Sequence, residues 1–188
     1  MTHFRSRRKG RVYVELPAYA AGLIANLTRQ LVELLSDGEP TAVAGEDPLE
    51  AMLDFEGPRE APDDPALQRL LPDAHRDDVE ASAEFRRFTE HTLREAKIAN
   101  AMVVLDSIGD VTDIGEGDLE FELSPAQARA WLQCLTDLRL TLATRLGVTA
   151  DDDEFWDSLP DDDPRVGVHE IYGWLGFLLE SLVDAAGY

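Results

Sequence analysis

Three polar residues lie within one predicted helix, at positions 124–146, and have side chains that could carry chemistry: Cys134, Arg139 and Arg145. A thiol can be oxidised in steps, and Cys134 is therefore a candidate redox site. It lies far from the helix N-terminus, so the helix dipole would not lower its pKa, and Asp137 would raise that pKa if the two are close. A buried cysteine also packs as a small apolar side chain. The pattern favours this structural interpretation over the redox one and leaves both open.

Arg139 and Arg145 lie at the edges of the apolar stripe of the same helix, where a charge needs a partner. One interpretation is a pair of interior ion pairs with acidic residues of a long helix, at Glu84, Glu90 or Glu95. The other is a site that binds an anionic group. We favour the structural interpretation.

Catalytic and metal-binding patterns are weak elsewhere in the chain. The histidines, at positions 3, 75, 91 and 169, are scattered, and the sequence has neither a glycine-rich phosphate loop nor a G-x-S-x-G motif. Residues 151–154 with Asp157 hold enough carboxylates for a hard cation, but they lack the glycine and the closing glutamate of a calcium loop. We therefore predict no catalytic residue, no metal and no cofactor, and a solvated acidic loop at 147–163.

Composition limits the choice of partners. The 188 residues carry a net charge of −21, with 44% hydrophobic residues, which is enough for a globular core. Such an acidic surface repels nucleic acids and anionic membranes and favours a basic protein partner. A basic stretch (Arg5, Arg7, Arg8, Lys9 and Arg11) is expected to lie on the protein's own acidic surface rather than to contact a partner. One cysteine, no apolar run of about 20 residues and no secretion signal favour a cytoplasmic protein.

The elements that must position these residues are mostly helical. Ser124 with Gln127 forms a capping box at the start of the 124–146 helix, and Gly147 ends it. Further helices are predicted at 17–36, 77–107 and from Asp163 almost to the C-terminus, with short ones at 48–53 and after Asp64. The 77–107 helix is expected to begin with an Asp77–Glu80 capping box, to kink near 89–92 and to have Phe85 and Phe88 on an apolar face. A long loop is predicted at 39–66.

Two strand-and-helix units, at 12–35 and 119–143, resemble each other. In each, a short alternating strand leads through a proline into a helix with an apolar stripe. We predict that strands 12–16 and 119–123 pair as neighbours in a small two-stranded sheet over the two helices. The predicted fold is one domain, 1–188, mostly α: a helical bundle with a two-stranded β-sheet.

The last helix offers a candidate protein interface. Trp174 and Phe177 lie off its predicted buried stripe, and Trp156 of the acidic loop precedes the helix. Exposed aromatic side chains within an acidic surround suit a basic partner. Burial of these rings in the core, or a homodimer formed through them, is the alternative.

Four segments resemble a known family. They are the motif W-L-x-x-L-x-D-L-R-L-x-L-x-T-R-L-G at 131–147, EFRRFTEHTLREAKIANA at 84–101, F-R-x-R-x-x-G-R-V at 4–12, and DDPR followed by Y-G-W-L at 162–175. The chain resembles the actinobacterial domain of unknown function also called the actinomycete oxidative stress regulator family.

The resemblance implies a cytoplasmic, non-enzymatic protein tied to redox-responsive transcription, acting with a sigma factor of RNA polymerase. The alternative is an adaptor or scaffold in Clp-type regulated proteolysis, because genes of the family often lie near that of the Clp adaptor. The chain departs from the family picture in having one cysteine, whereas an intramolecular disulfide needs two. Either this member senses nothing, or Cys134 forms an intermolecular bond or a sulfenic acid.

Overall fold

The computed structural model describes residues 4–36, 60–75, 77–109, 117–160 and 162–187. Most of them are helical, which confirms the predicted class. The strands described are β1 (Phe4–Ser6), β2 (Val12–Pro17) and β3 (Asp118–Leu123). The helices are α1 (Ala18–Ser36), α2 (Pro65–Leu70), α3 (Val79–Ile108), α4 (Pro125–Leu146), α5 (Asp153–Asp157) and α6 (Pro164–Ala186). The short helix predicted at 48–53 lies outside the described residues.

The predicted strand pair is present, within a sheet of three antiparallel strands rather than two. In the β2–β3 ladder, Val12 lies opposite Leu123 and Leu16 opposite Leu119. The additional strand, β1, pairs with β2 so that Phe4 faces Val14. Three residues are too few to show the alternation by which a strand is recognised, so the predicted two-stranded sheet did not include β1.

Helix α4 lies at the centre of the fold and contacts α1, α2, α3 and α6. The predicted capping box is present: Gln127 Oε1 accepts from the Ser124 amide at 3.0 Å, and the Gln127 amide donates to Ser124 Oγ at 3.3 Å. Trp131 is fully buried and lies edge-on to Phe4, while its Nε1 donates to Ser107 Oγ at 3.3 Å. Helix α4 therefore packs on more than one side.

The buried face of α1 is rotated from the predicted one. The spacing of the leucines at 23, 27, 31 and 34 predicts one apolar face directed at the core, yet of these only Leu31 is buried. The observed face consists largely of small residues: Ala20, Ala21, Ile24, Ala25, Thr28, Leu31 and Leu35. Because α1 packs against both α3 and α4, small side chains at the contacts let the helices approach closely.

Helix α3 differs from its prediction at the start and in the middle. Asp78 rather than Asp77 caps it, with Oδ1 accepting from the Ala81 amide at 2.9 Å. It runs unbroken from Val79 to Ile108, without the kink expected near 89–92. The apolar pattern that predicts the kink shifts because the first half of the helix buries polar and charged residues.

The acidic segment 147–163, predicted as a loop, contains the short helix α5.

The N-terminal basic side chains contact residues of the neighbouring strands. Arg5 pairs with Glu15 at 3.0 Å, Arg11 pairs with Glu122 at 3.1 Å, and Arg7 lies over the Tyr13 ring. These basic side chains therefore lie on the acidic strands of the chain itself.

Candidate functional site

Cys134 is enclosed between α4 and α1. It is 1% exposed, and its Sγ lies 4.0 Å from Thr28 Oγ1. Burial raises the pKa of the thiol to about 12; the contact with Thr28 works against this rise and the nearby Asp137 carboxylate adds to it. The thiolate is the reactive form of cysteine. The geometry therefore favours the structural interpretation of Cys134.

A buried ion pair, which the sequence reading did not identify, lies close to this thiol. Lys97 Nζ donates to Asp137 Oδ1 at 2.6 Å, and Asp137 is 4% exposed. Burial raises the pKa of Asp137, and Lys97 counteracts that rise. The pair lies in the lining of a groove of about 530 Å³ between α2, α3 and α4, where Leu93, Leu132 and Leu140 supply apolar walls.

Arg139 and Arg145 have partners other than the glutamates predicted. The Arg139 guanidinium stacks over the Tyr172 ring at 4.7 Å and lies against Gly176 of α6. A Cβ at position 176 would come within 3.3 Å of that guanidinium, so the glycine leaves room for the arginine. Arg145 Nη2 donates to Asp64 Oδ2 at 2.6 Å.

The Asp64 carboxylate thus joins two elements, because its Oδ1 also accepts from the Ala66 amide at 2.7 Å at the start of α2. Burial alone would raise the pKa of Asp64, but Arg145 and the amides of Ala66 and Leu67 outweigh it and lower the pKa. Arg145 therefore links α2 to the end of α4, which favours the structural interpretation.

The first half of α3 buries charges rather than apolar side chains. Arg86, Glu90 and Arg94 are each less than a tenth exposed. Arg94 donates from Nε and Nη2 to Glu90 Oε1 at 2.9 and 2.8 Å, and from Nη1 to the Leu35 carbonyl at 2.7 Å. Arg86 pairs with Asp73 and lies 3.5 Å from Glu90 Oε2. Their spacing of four residues was a signal that could have identified this cluster.

The same helix turns its phenylalanines outward. Phe85 is 50% exposed and Phe88 57% exposed, whereas the sequence pattern had placed both on an apolar face directed at the core. The charged residues occupy the inward positions, so the rings lie on the opposite side. This inversion also accounts for the shift of pattern from which a kink had been inferred.

The three aromatic residues of the candidate interface at the last helix differ in their exposure. Trp156 is 7% exposed and stacks on His169 with ring centroids 4.2 Å apart, so it belongs to the protein interior. Trp174 is half-buried and packs against the core. Phe177 is 42% exposed and is the one of the three that reaches the surface.

The acidic segment shows local hydrogen bonding. Asp152 Oδ2 accepts from the Thr149 amide at 2.7 Å, and this bond is the main reason that the Asp152 pKa is lowered. Across the described ranges, no three side chains of His, Cys, Asp or Glu are grouped as metal ligands. None of the helices that the structure describes is both long enough and apolar enough to cross a membrane.

Comparison with known proteins identifies relatives along nearly the whole chain. It is 32% identical over 182 residues to the oxidative stress regulator AosR of Mycobacterium tuberculosis, covering 89% of this chain and 78% of that protein. The AosR of Mycobacterium bovis is similar to the same extent. No solved structure shows significant similarity. Residues 1–186 match the family described as a domain of unknown function, DUF2017, and the chain belongs to that family.

Proposed function

We propose that this protein is a non-enzymatic, cytoplasmic regulator of the oxidative stress response that acts through contacts with a sigma factor or RNA polymerase. The observation that carries the proposal is the 32% identity, over 89% of the chain, to relatives named oxidative stress regulators. A regulator with this acidic surface suits a basic protein partner, since a net charge of −21 disfavours direct contact with DNA.

The environment of Cys134 supports action through contacts rather than through thiol chemistry of its own. At 1% exposure and a pKa of about 12, the thiol is both inaccessible and almost wholly protonated at neutral pH. In this proposal the oxidative signal reaches the protein through its partner or through its abundance. The buried Lys97–Asp137 pair and the Arg86–Glu90–Arg94 cluster then have structural roles.

The proposal is tested with purified components. The full chain is immobilised, and RNA polymerase core, each sigma factor of the organism, the Clp ATPase and the Clp adaptor are passed over it separately. Saturable binding of a sigma factor or of polymerase supports the proposal. Binding to the Clp proteins alone would instead support the adaptor function, and binding to none of these components would refute the proposed partners.

A second measurement addresses the cysteine. The same binding is measured for Cys134→Ala under reducing conditions and after peroxide treatment. Unchanged binding in both conditions is expected if the thiol is structural. If binding of the natural chain responds to peroxide and that of Cys134→Ala does not, Cys134 is the sensor.

A further inference from the structure

The outer face of α3 exposes several apolar and small side chains. Phe85 and Phe88 lie at one end, and Met102, 43% exposed, lies at the other. Between them the helix exposes Thr92, Ala96 and Ala99, with Glu95 at the edge of the face. At 100° per residue the six apolar and small side chains fall on one side of the helix, and at 1.5 Å per residue they span about 26 Å.

The orientation of this face is fixed by the opposite side of the helix. Arg94 is held by Glu90 and by the Leu35 carbonyl of α1, and Arg86 pairs with Asp73. A rotation that buried the phenylalanines would break these bonds and move the charges. The buried ion pairs therefore keep the aromatic side of the helix directed outward, and the two phenylalanine rings remain accessible.

Charge restricts what can bind there. Glu84 and Glu95 are exposed at one edge of the face, where Glu95 lies 3.3 Å from His91, and Asp106 is exposed one turn beyond Met102. These three carboxylates are called the acidic flank. The whole chain carries a net charge of −21. A second copy would bring two acidic flanks together, and a polyanion would be repelled, whereas a basic surface would be attracted.

We propose that the outer face of α3 (Phe85, Phe88, Thr92, Ala96, Ala99 and Met102) is the docking surface for a basic amphipathic helix of a protein partner. The small residues at its centre permit helix axes 8–10 Å apart, and Phe85 and Phe88 supply the large rings that dominate such contacts. Lysine or arginine side chains of the partner pair with the acidic flank. The proposal rests on the proposed function in one respect, that the partner is a protein.

The first test measures direct binding with a probe of this chemistry. A fluorescein-labelled Leu/Lys amphipathic peptide of about six helical turns is titrated with the full chain, alongside a Leu/Glu peptide of the same pattern. Saturable binding of the basic peptide and none of the acidic one is expected. The double variant Phe85→Gln with Phe88→Gln, which leaves the charge unchanged, should weaken binding at least about tenfold.

Matched variants locate the surface. Tyr19→Gln removes an aromatic ring that is 78% exposed on α1 and should leave the affinity unchanged. Phe177→Gln tests the rival position on α6. If the α3 double variant binds as tightly as the natural chain at an unchanged melting temperature, or if Phe177→Gln alone weakens binding, the proposal is overturned.

The acidic flank is tested with a pair of variants of equal net charge. Glu84→Gln with Asp106→Asn removes two charges from the flank, and Glu33→Gln with Glu180→Gln removes two exposed charges from α1 and α6. The flank variant should lower the association rate more than its control. Equal rates for the two would mean that only overall charge matters, and would overturn the flank's role in docking.

The same α3 variants are then measured with the sigma factors and polymerase. If those proteins do not bind the natural chain but the basic peptide binds through Phe85 and Phe88, the docking surface stands and the proposed partners fall. If they bind equally to the natural chain and to the α3 double variant, the proposed function stands and the docking surface falls.

Discussion

Cys134 faces Thr28 across the contact between α4 and α1, and the sequence holds no second cysteine with which it could form an intramolecular disulfide. Its neighbours disfavour the thiolate form. Burial withdraws the thiol from water, and the Asp137 carboxylate, itself satisfied by Lys97, opposes a second negative charge nearby. The reactivity of this thiol is therefore determined by the free-energy cost of forming a thiolate anion at the buried contact between α4 and α1.

The thiol of Cys134 should therefore react slowly with an alkylating reagent. A pKa of about 12 in place of 9.0 lowers the thiolate fraction at neutral pH by roughly a thousandfold, and burial slows access further. Alkylation by iodoacetamide is followed by mass spectrometry in the native and the denatured chain. A control chain with Cys134→Ala and Ser36→Cys carries an exposed thiol. Native Cys134 that reacts as fast as this control would contradict the expected burial.

Trp131 is the residue whose loss should cost most at the centre of the fold. It is fully buried, and its ring lies between Phe4 of β1 and Phe121 of β3. Trp131→Ala should lower the free energy of unfolding by about 3–5 kcal/mol, as for other large buried aromatic side chains. Arg145→Met, on a partly exposed pair, should cost no more than about 1 kcal/mol. Urea unfolding of both variants measures the difference, and equal small losses would place α4 at the periphery.

At the scale of elements, α3 shows where sequence patterns succeed and where they fail. The caps of α4 were predictable because Ser124, Gln127 and Gly147 act on their own backbone neighbours. The β2–β3 pairing was predictable from alternation. The buried face of α3 was not predictable. Arg86 and Arg94 are stabilised by Asp73 and by the Leu35 carbonyl, and these contacts cannot be recognised from the sequence pattern of the helix itself. Because the sequence pattern assigns apolar residues to the core, it places the face with Phe85 and Phe88 inside.

The charge cluster of α3 should be sensitive to removal of its acid. Glu90→Ala would leave Arg94 without its two bonds to Glu90 in a buried position, and should cost about 3–5 kcal/mol of unfolding free energy. Glu84→Ala, on an exposed residue of the same helix beyond its first turn, should change stability by less than about 0.5 kcal/mol. Denaturant titration compares the two, and a loss for Glu90→Ala no larger than that for Glu84→Ala would contradict the buried network.

The start of α6 should give the protein a defined sensitivity to acid. The Arg165 side chain and amide lower the pKa of Asp163 from 3.8 to about 2. Since the folded-state pKa is below the unfolded value, the stabilisation is present above pH 3.8 and is lost as the pH falls towards 2. Melting temperatures of the natural chain should therefore fall more steeply over this interval than those of Asp163→Asn. Parallel curves would show that the ion pair does not form in solution.

At the scale of the whole molecule, charge is distributed unevenly between inside and outside. Positive side chains pair with buried or local acids, as Lys97, Arg94 and Arg145 do, while most carboxylates of the described residues are exposed. Self-repulsion within a chain of net charge −21 opposes the compact state. The same field would favour a basic partner in the docking to α3 that we propose.

Added salt should consequently stabilise the protein. Screening shortens the Debye length from about 10 Å at 0.1 M to about 3 Å at 1 M, which weakens repulsion between distant carboxylates more than it weakens the short buried pairs. The melting temperature should rise with NaCl, and equally with KCl. MgCl₂ or CaCl₂ at matched ionic strength separates screening from binding: an additional rise would reveal a cation site, for which the acidic segment around Asp151 and Asp157 is the candidate. A fall in melting temperature with NaCl would mean that attractive surface pairs, such as Arg5–Glu15 and Arg11–Glu122, outweigh the net repulsion.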